Sequence, residues 1–460
     1  MLNEDVIFGS NMHNIYFEIN SEKFFFNGDT GYLEYQITKG RQNQLKTSIE
    51  SGIVEDIFQA KYLQSIETEK AFPQPQIFTI FIAATCNMAC SYCLNSGGTL
   101  GLKNEIMTSE TAKNITTFLQ DYVQKTDYDL ITINLYGGEP FTNPQAVKEI
   151  LKGLEQIAGM GYKAKVKVLI MTNGTIHDKE LINFVKKLKL EVYFAISLDG
   201  GPERHNAHRR LTTGKGTWQE AFTFTQLLRK EGIHFSVTAV VPYPYEYTET
   251  AEELIKHGFK TFEIKDVIPY SYGGDPSAEI YRVDFSLWRK KYLQYTDFCL
   301  CILQQDRGLY LIDHLNLIDN HLRCYRFPSP FGCGLFRYKI GIDVNGTMYP
   351  CESFVHSEFR LGNVRDGWKD ENVTSFAKLL REEGYLKRDH LDCKVCFAKY
   401  VCGGGCYAVN WDKSGKFNEI MTERCLFIKE KLKIDLYFIS KLAGIRPDLT
   451  KRDQVSTQCS

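Results

Sequence analysis

The sequence has no stretch of the ~18 apolar residues that a membrane-spanning helix needs. Its most apolar run, residues 77–84, is strand-length and is interrupted by Thr79. It has no apolar signal core near its start, where the acids Glu4 and Asp5 come early, so a secretory peptide is not expected. It has no excess of one charge: 55 Lys+Arg stand against 56 Asp+Glu in 460 residues, with no long Lys/Arg block. Such a chain is not built to hold a nucleic-acid backbone by charge alone. It has no internal repeat and no low-complexity segment, and with 43% hydrophobic and 24% charged residues it is not generally disordered. These absences leave a cytoplasmic globular protein that meets neither nucleic acid nor membrane. At roughly 100–200 residues per domain it should hold two to four domains.

What the chain does have is cysteine, 14 in all. Cytoplasmic thiols stay reduced, so thiolate ligation of a metal or cluster is a stronger reading than disulfides. The pattern along the chain supplies the context. Residues 1–75 read as a small unit, with strands at 14–19, 23–26 and 32–37, a turn at 27–31, and helical stretches around 42–50 and 55–65. No catalytic constellation lies there, so it is either a structural cap or a unit that docks a peptide on a sheet edge. From residue 76 to about 269, strands alternate with helices. Strands are expected at 77–84, 130–136, 166–172, 192–197, 235–241 and 261–268, and helices at 109–124, 144–158, 178–188, 218–230 and 248–257. Thr108, Asn143, His177 and Thr217 stand near helix starts. Repeated βα units imply a parallel sheet, either an open barrel with its site at the strands' C-terminal ends or a Rossmann-type sheet. After a long helix near 285–305 the alternation stops, and cysteines and glycines thicken from Cys324 to Cys425.

Cys86, Cys90 and Cys93 form a CxxxCxxC run directly after the first strand of the alternating region. Three thiolates on one short loop can hold one face of an iron–sulfur cluster and leave one iron open. Zinc is the competing metal, but a structural zinc site wants four closed ligands. This run resembles that of the radical S-adenosylmethionine (SAM) superfamily, and further motifs follow in order. Tyr92 matches the aromatic position before the third cysteine. Gly137-Gly138-Glu139-Pro140 resembles the motif that contacts the SAM amino group. Thr172-Asn173 ends the third strand, and Ser197 and Asp199 lie at the end of the fourth, in a segment like the one facing the ribose and carboxylate. Arg209 matches an arginine often paired with the SAM carboxylate. The resemblance implies that the three cysteines hold a [4Fe–4S] cluster whose open iron SAM chelates, and that a deoxyadenosyl radical is the reactive species.

A second set, Cys333, Cys351, Cys393, Cys396, Cys402, Cys406 and Cys425, resembles the seven-cysteine signature of SPASM domains, which hold two auxiliary [4Fe–4S] clusters. By that resemblance Cys393, Cys396, Cys402 and Cys425 hold one cluster. Cys333, Cys351 and Cys406 hold the other, with Cys324 as candidate fourth ligand. A zinc ribbon of Cys393, Cys396, Cys402 and Cys406 is the bland alternative. Cys299 and Cys301 read as small packed hydrophobes, and Cys459 as an exposed tail residue.

The expected fold class is therefore α/β. A partial (β/α)6 radical SAM barrel at 76–310 follows a small α+β, winged-helix-like peptide-recognition domain at 1–75 and precedes a cysteine-rich SPASM domain at 311–460. Resemblance implies a maturase of a ribosomally made precursor peptide, with the leader held by residues 1–75 and electrons from a donor such as flavodoxin or ferredoxin. Residues 90–99 and 107–110 look similar to thioether-forming maturases, which join a cysteine sulfur to a carbon of another residue. The alternatives are an anaerobic sulfatase maturase, which makes formylglycine, and a maturase forming carbon–carbon crosslinks or acting on a quinocofactor precursor. Sulfatase maturases usually carry Asp where this chain has Glu352, which lies beside Cys351 and is the candidate base. A structural or solvated carboxylate is the competing reading for Glu352.

Overall fold

The computed structural model describes residues 14–27, 32–37, 41–45, 73–93, 105–267, 283–315, 335–336, 338–380, 382, 393, 396–398, 402, 405–419 and 421–446. Cys324, Cys333, Cys459 and the helix expected at 55–65 lie outside them. The described residues fall into two compact units. The first draws on Met1–Ala71, Phe285–Cys333 and Ala377–Cys459, the second on Phe72–Asp284 and Gly334–Phe376.

In the first unit β1 (Asn14–Ile19), β2 (Glu22–Asn27), β3 (Tyr32–Ile37) and β4 (Arg41–Leu45) form an antiparallel sheet in sequence order. Phe17 stacks on Phe24 at 5.0 Å across the β1–β2 pair. The helix expected from residue 42 is overturned over 42–45. Those residues run as β4 against β3, from Leu33↔Leu45 to Ile37↔Arg41. The run Gln42-Asn43-Gln44 has no strong preference of its own, and the open edge of β3 supplies the hydrogen-bonding row that decides it.

In the second unit β5 (Ile77–Ala83), β6 (Leu130–Gly137), β7 (Lys165–Thr172), β8 (Glu191–Ser197), β9 (Phe235–Val241) and β10 (Thr261–Asp266) lie side by side in chain order. Each is parallel to the next. A doubly wound sheet reverses its order at a switch point; this one does not, which sets the Rossmann alternative aside. The crossovers carry α1 (Ser109–Lys125), α2 (Pro144–Gly159), α3 (Lys179–Lys187), α4 (Pro202–His208), α5 (Trp218–Glu231) and α6 (Tyr247–Lys256). Burial follows the residue periods. Ile131, Ile133 and Leu135 alternate into the core from β6, and Val147, Ile150, Leu151 and Leu154 do so from one stripe of α2. Each such side chain contributes about 1.5–3 kcal/mol relative to exposure.

Helix α7 (Phe285–Gln305) and the short β11 (Tyr310–Leu311) belong to the first unit. Cys299 is buried there, but Cys301 is exposed, correcting its reading as a packed hydrophobe. Residues two apart on a helix face nearly opposite ways, so only one of the pair can turn inward. The chain returns to the second unit with β12 (Lys339–Ile342), which pairs in parallel with the outer edge of β5, followed by β13 (Thr347–Tyr349), β14 (Gly362–Asn363) and β15 (Gly367–Trp368). In the first unit α8 (Tyr407–Ser414) and α9 (Thr422–Ile445) end the described chain. The 24-residue α9 packs on α7 through Trp288 and Phe427, whose rings lie 3.8 Å apart, and on the N-terminal sheet through Phe24 and Tyr437.

Candidate functional site

In the second unit the motif residues stand at or just past the C-terminal ends of β5 to β8. The thiol loop leaves β5 and is held by backbone hydrogen bonds to the segment after α4. Ala89 N–H donates to the Arg210 carbonyl at 2.8 Å, Ser91 N–H to that of His208 at 3.0 Å, and Thr212 N–H to that of Asn87 at 3.1 Å. Cys86 Sγ accepts from Met88 N–H at 3.4 Å and faces Asn173 Nδ2 at 3.8 Å. Burial pushes the Cys86 thiol up to about 12 and the Cys90 thiol to about 11, the latter although Arg209 acts to lower it. Thiolates there call for a bound cation. Among the described residues no three Cys, His, Asp or Glu side chains sit close enough to share one metal ion; a cluster takes one thiol per iron instead.

The glycine pair after β6 is required by close approach. A Cβ on Gly137 would lie 2.4 Å from the Ala83 carbonyl oxygen, and one on Gly138 would lie 2.0 Å from that of Thr85. Gly137 also has φ +127°, where side chains are strained. Glu139, 1% exposed, turns inward, and its carboxylate accepts from Thr172 Oγ1 (2.6 Å), Asn173 N–H (2.7 Å) and Phe141 N–H (3.0 Å). Burial raises its pKa against those three donors. The Glu139 side chain thus braces β6 to β7, and Pro140 opens a single 3-10 turn behind it.

Asp199, 1% exposed, sits just past β8, where Ser197 is half-buried. Its Oδ2 accepts from Arg209 Nε at 2.8 Å and from the Tyr92 hydroxyl, and its Oδ1 accepts from Val240 N–H at 2.8 Å. Burial alone would raise the Asp199 carboxyl, but the Arg209 charge and hydrogen bond hold it below its usual range. The guanidinium of Arg209 also lies 5.3 Å from the centre of the buried Tyr92 ring. Sequence reasoning thus named Tyr92, Asp199 and Arg209 separately, and the fold brings them into one buried group. It missed Asn87, whose Oδ1 accepts from Asn173 Nδ2 at 2.9 Å, and His205, which lies behind Asp199. The signal for His205 was its place in the run His205-Asn206-Ala207-His208-Arg209, which ends on the motif arginine.

Cys351 also belongs to the second unit, in the turn after β13. The turn between β12 and β13 is set by Asp343 Oδ1, which accepts from Asn345 and Thr347 N–H at 2.9 Å each, and by Gly346 at φ +80°. Glu352 Oε1 lies 3.8 Å from Lys339 Nζ, and its Oε2 is buried with no hydrogen-bond partner among the described residues. In the first unit Cys393, Cys396, Cys402 and Cys425 line one cavity together with Arg424 and Lys429. Ala398 N–H points at Cys396 Sγ (3.4 Å), and Gly405, at φ +87°, lets the backbone turn against the cavity. Four thiols around one void fit a [4Fe–4S] cluster by donor chemistry. Cys406 is not on that lining and stands at the N-terminus of α8.

Residues 80–258 match the Radical SAM superfamily. A serine-type anaerobic sulfatase-maturating enzyme of Bacteroides thetaiotaomicron is 24% identical over 351 residues, 71% of this chain and 80% of that protein. The antilisterial bacteriocin subtilosin biosynthesis protein AlbA of Bacillus subtilis is 25% identical over 344 residues, 73% of this chain and 68% of that one. Native anSMEcpe with bound AdoMet and Cp18Cys peptide shares the fold, with a TM-score of 0.65 and 20% identity over 80% of this chain and 99% of that one. No helix among the described residues is long and apolar enough to cross a membrane. Residues 80–258 form a radical SAM domain, and the chain is homologous to the anaerobic sulfatase-maturating enzymes and to AlbA.

Proposed function

We propose that this chain is a cytoplasmic radical SAM enzyme that modifies a ribosomally made precursor peptide, joining a cysteine sulfur to a carbon of an acceptor residue. The observation that carries the reading is the thiol loop at the end of β5, hydrogen-bonded to the segment that holds Arg209. Cys86, Cys90 and Cys93 would hold a [4Fe–4S] cluster, and Tyr92, Gly137, Gly138, Glu139, Pro140, Thr172, Asn173, Ser197, Asp199 and Arg209 would surround SAM. When bound, these groups supply a carbon-centred radical able to take hydrogen from an unactivated C–H bond. The protein's part is to position and to move protons. Arg209 offers a fixed positive charge to a carboxylate. Glu352 Oε2, buried and without a hydrogen-bond partner among the described residues, is suited to accept the proton of a substrate thiol.

Residues 1–75 would take the leader, residues 76–310 the reacting segment, and residues 311–460 would hold two auxiliary clusters. Cys393, Cys396, Cys402 and Cys425 hold one in this reading. Cys333, Cys351 and Cys406 hold the other, with Cys324 closing it. An electron donor such as flavodoxin or ferredoxin would complete the system. Formylglycine formation is the second reading, favoured by the similarity to sulfatase-maturating enzymes.

The test is anaerobic co-expression with a candidate peptide, followed by mass spectrometry. Loss of two hydrogens per thioether, with the joined cysteine no longer alkylatable, supports the first reading. The same loss with every cysteine alkylatable excludes it, and conversion of a sulfatase peptide to an aldehyde establishes the second. Colourless protein that carries zinc and does not cleave SAM would sink both.

A further inference from the structure

Behind the Asp199–Arg209–Tyr92 group lies a second buried pair. His205 and Thr217 are both 0% exposed. His205 Nδ1 lies 3.2 Å from Asp199 N–H and must accept from it, which leaves the ring proton on Nε2. Nε2 then donates to Thr217 Oγ1 at 3.0 Å, and the Thr217 hydroxyl donates to the Arg209 carbonyl at 2.9 Å. One chain of hydrogen bonds therefore joins the backbone of Asp199 to the backbone of Arg209, two residues whose side chains pair at 2.8 Å. Only a neutral imidazole offers one acceptor and one donor, and burial holds His205 neutral, with its pKa lowered to about 4. Asn206 Oδ1 fixes the far end by accepting from Thr217 N–H (2.8 Å) and Trp218 N–H (2.9 Å). The same Arg209 segment is hydrogen-bonded to the thiol loop. The chain thus sets the register between the end of β8 and that loop.

We propose that His205 and Thr217 are positioning residues for SAM, holding Asp199 and Arg209 at the separation that lets the guanidinium receive the cofactor's carboxylate. This rests on the cofactor reading above. The full-length chain, purified anaerobically and loaded with iron, is dialysed against radiolabelled SAM, and the electron paramagnetic resonance signal of its reduced cluster is recorded with and without SAM. Thr217→Val should bind SAM about tenfold more weakly than the parent at equal iron content, as expected for one lost buried hydrogen-bond chain. It should also blunt the SAM-induced spectral change. Thr217→Ser, which keeps the hydroxyl, should return affinity to within about twofold. If Thr217→Val does not fold, His205→Asn carries the same test, because it keeps an acceptor toward Asp199 and lacks the Nε2 donor. Parent-like affinity in the variant tested, or a Thr217→Ser as weak as Thr217→Val, overturns the relay. A parent that takes up iron but shows no binding of SAM overturns the cofactor reading, and the relay with it.

Discussion

At the residue scale, two positions show how little freedom the site leaves. The position of Gly138 has no room for even a methyl group, because the nearest atoms are the Thr85 backbone, which cannot swing aside as a side chain would. Gly138→Ala should cost about 3 kcal/mol and lower the melting temperature. An unchanged melt would show that the β5–β6 junction can open. His205 gives a pH signature. Its folded pKa, near 4, lies below its ordinary 6.5, so between those values the unfolded chain binds a proton that the folded chain does not. Its contribution is full above about pH 6.5 and fades as pH falls toward 4, by about 3 kcal/mol in all. Urea melts at pH 5 and pH 7 should show a larger loss for the parent than for His205→Asn. Equal losses would mean that the ring is not held neutral.

At the element scale, the helix caps separate what a sequence announces from what only the fold decides. Thr108 and Asn143 stand where caps belong, and both cap, accepting from Thr111 N–H at 3.1 Å and Ala146 N–H at 3.4 Å. Asn143 does more. Its Nδ2 donates to the carbonyls of Met107 (2.9 Å) and Ile82 (3.3 Å), tying α2 to the start of α1 and the end of β5. Asn143→Ala should therefore cost about 2–3 kcal/mol, against about 1 kcal/mol for the exposed Thr108→Ala. Equal costs in chemical denaturation would count against those ties. At the other two starts, local rules mislead. Asp178 rather than His177 caps α3, and the Thr217 hydroxyl turns away from α5 to Arg209 while Asn206 takes the cap from another helix. The six parallel strands were legible to within about two residues because buried strands carry their own apolar runs. By contrast β4 depends on its partner. Helix α9 is apolar on several sides, with Leu432, Ile434, Leu436, Phe438 and Leu442 all buried, so no single stripe marks it. The cysteine spacing was readable, but the joining of Tyr92, Asp199 and Arg209 needed residues 107 apart in the chain to meet.

At the scale of the whole molecule, the thiols divide between the two units, and their loss should divide as well. On the proposed function, Cys402→Ser should leave a protein with about four fewer irons per chain, whereas Cys86→Ser should abolish SAM cleavage while most of the iron remains. Loss of all iron in Cys402→Ser would show that the two sites do not load separately. The pairing of β12 with β5 carries a consequence for how the chain is made. The first of the parallel strands acquires its second neighbour from residue 339 onward, and Gln76 and Ile77 N–H both donate to the Tyr338 carbonyl, at 2.9 and 3.0 Å. Throughout synthesis of the intervening residues, the edge beside the thiol loop stays open to any passing strand. A fragment ending at residue 330 should therefore aggregate, although it contains the whole matched domain. If Cys86, Cys90 and Cys93 hold the cluster proposed above, iron delivered to the nascent chain would meet them on a sheet not yet sealed, and the timing of its insertion would become part of folding.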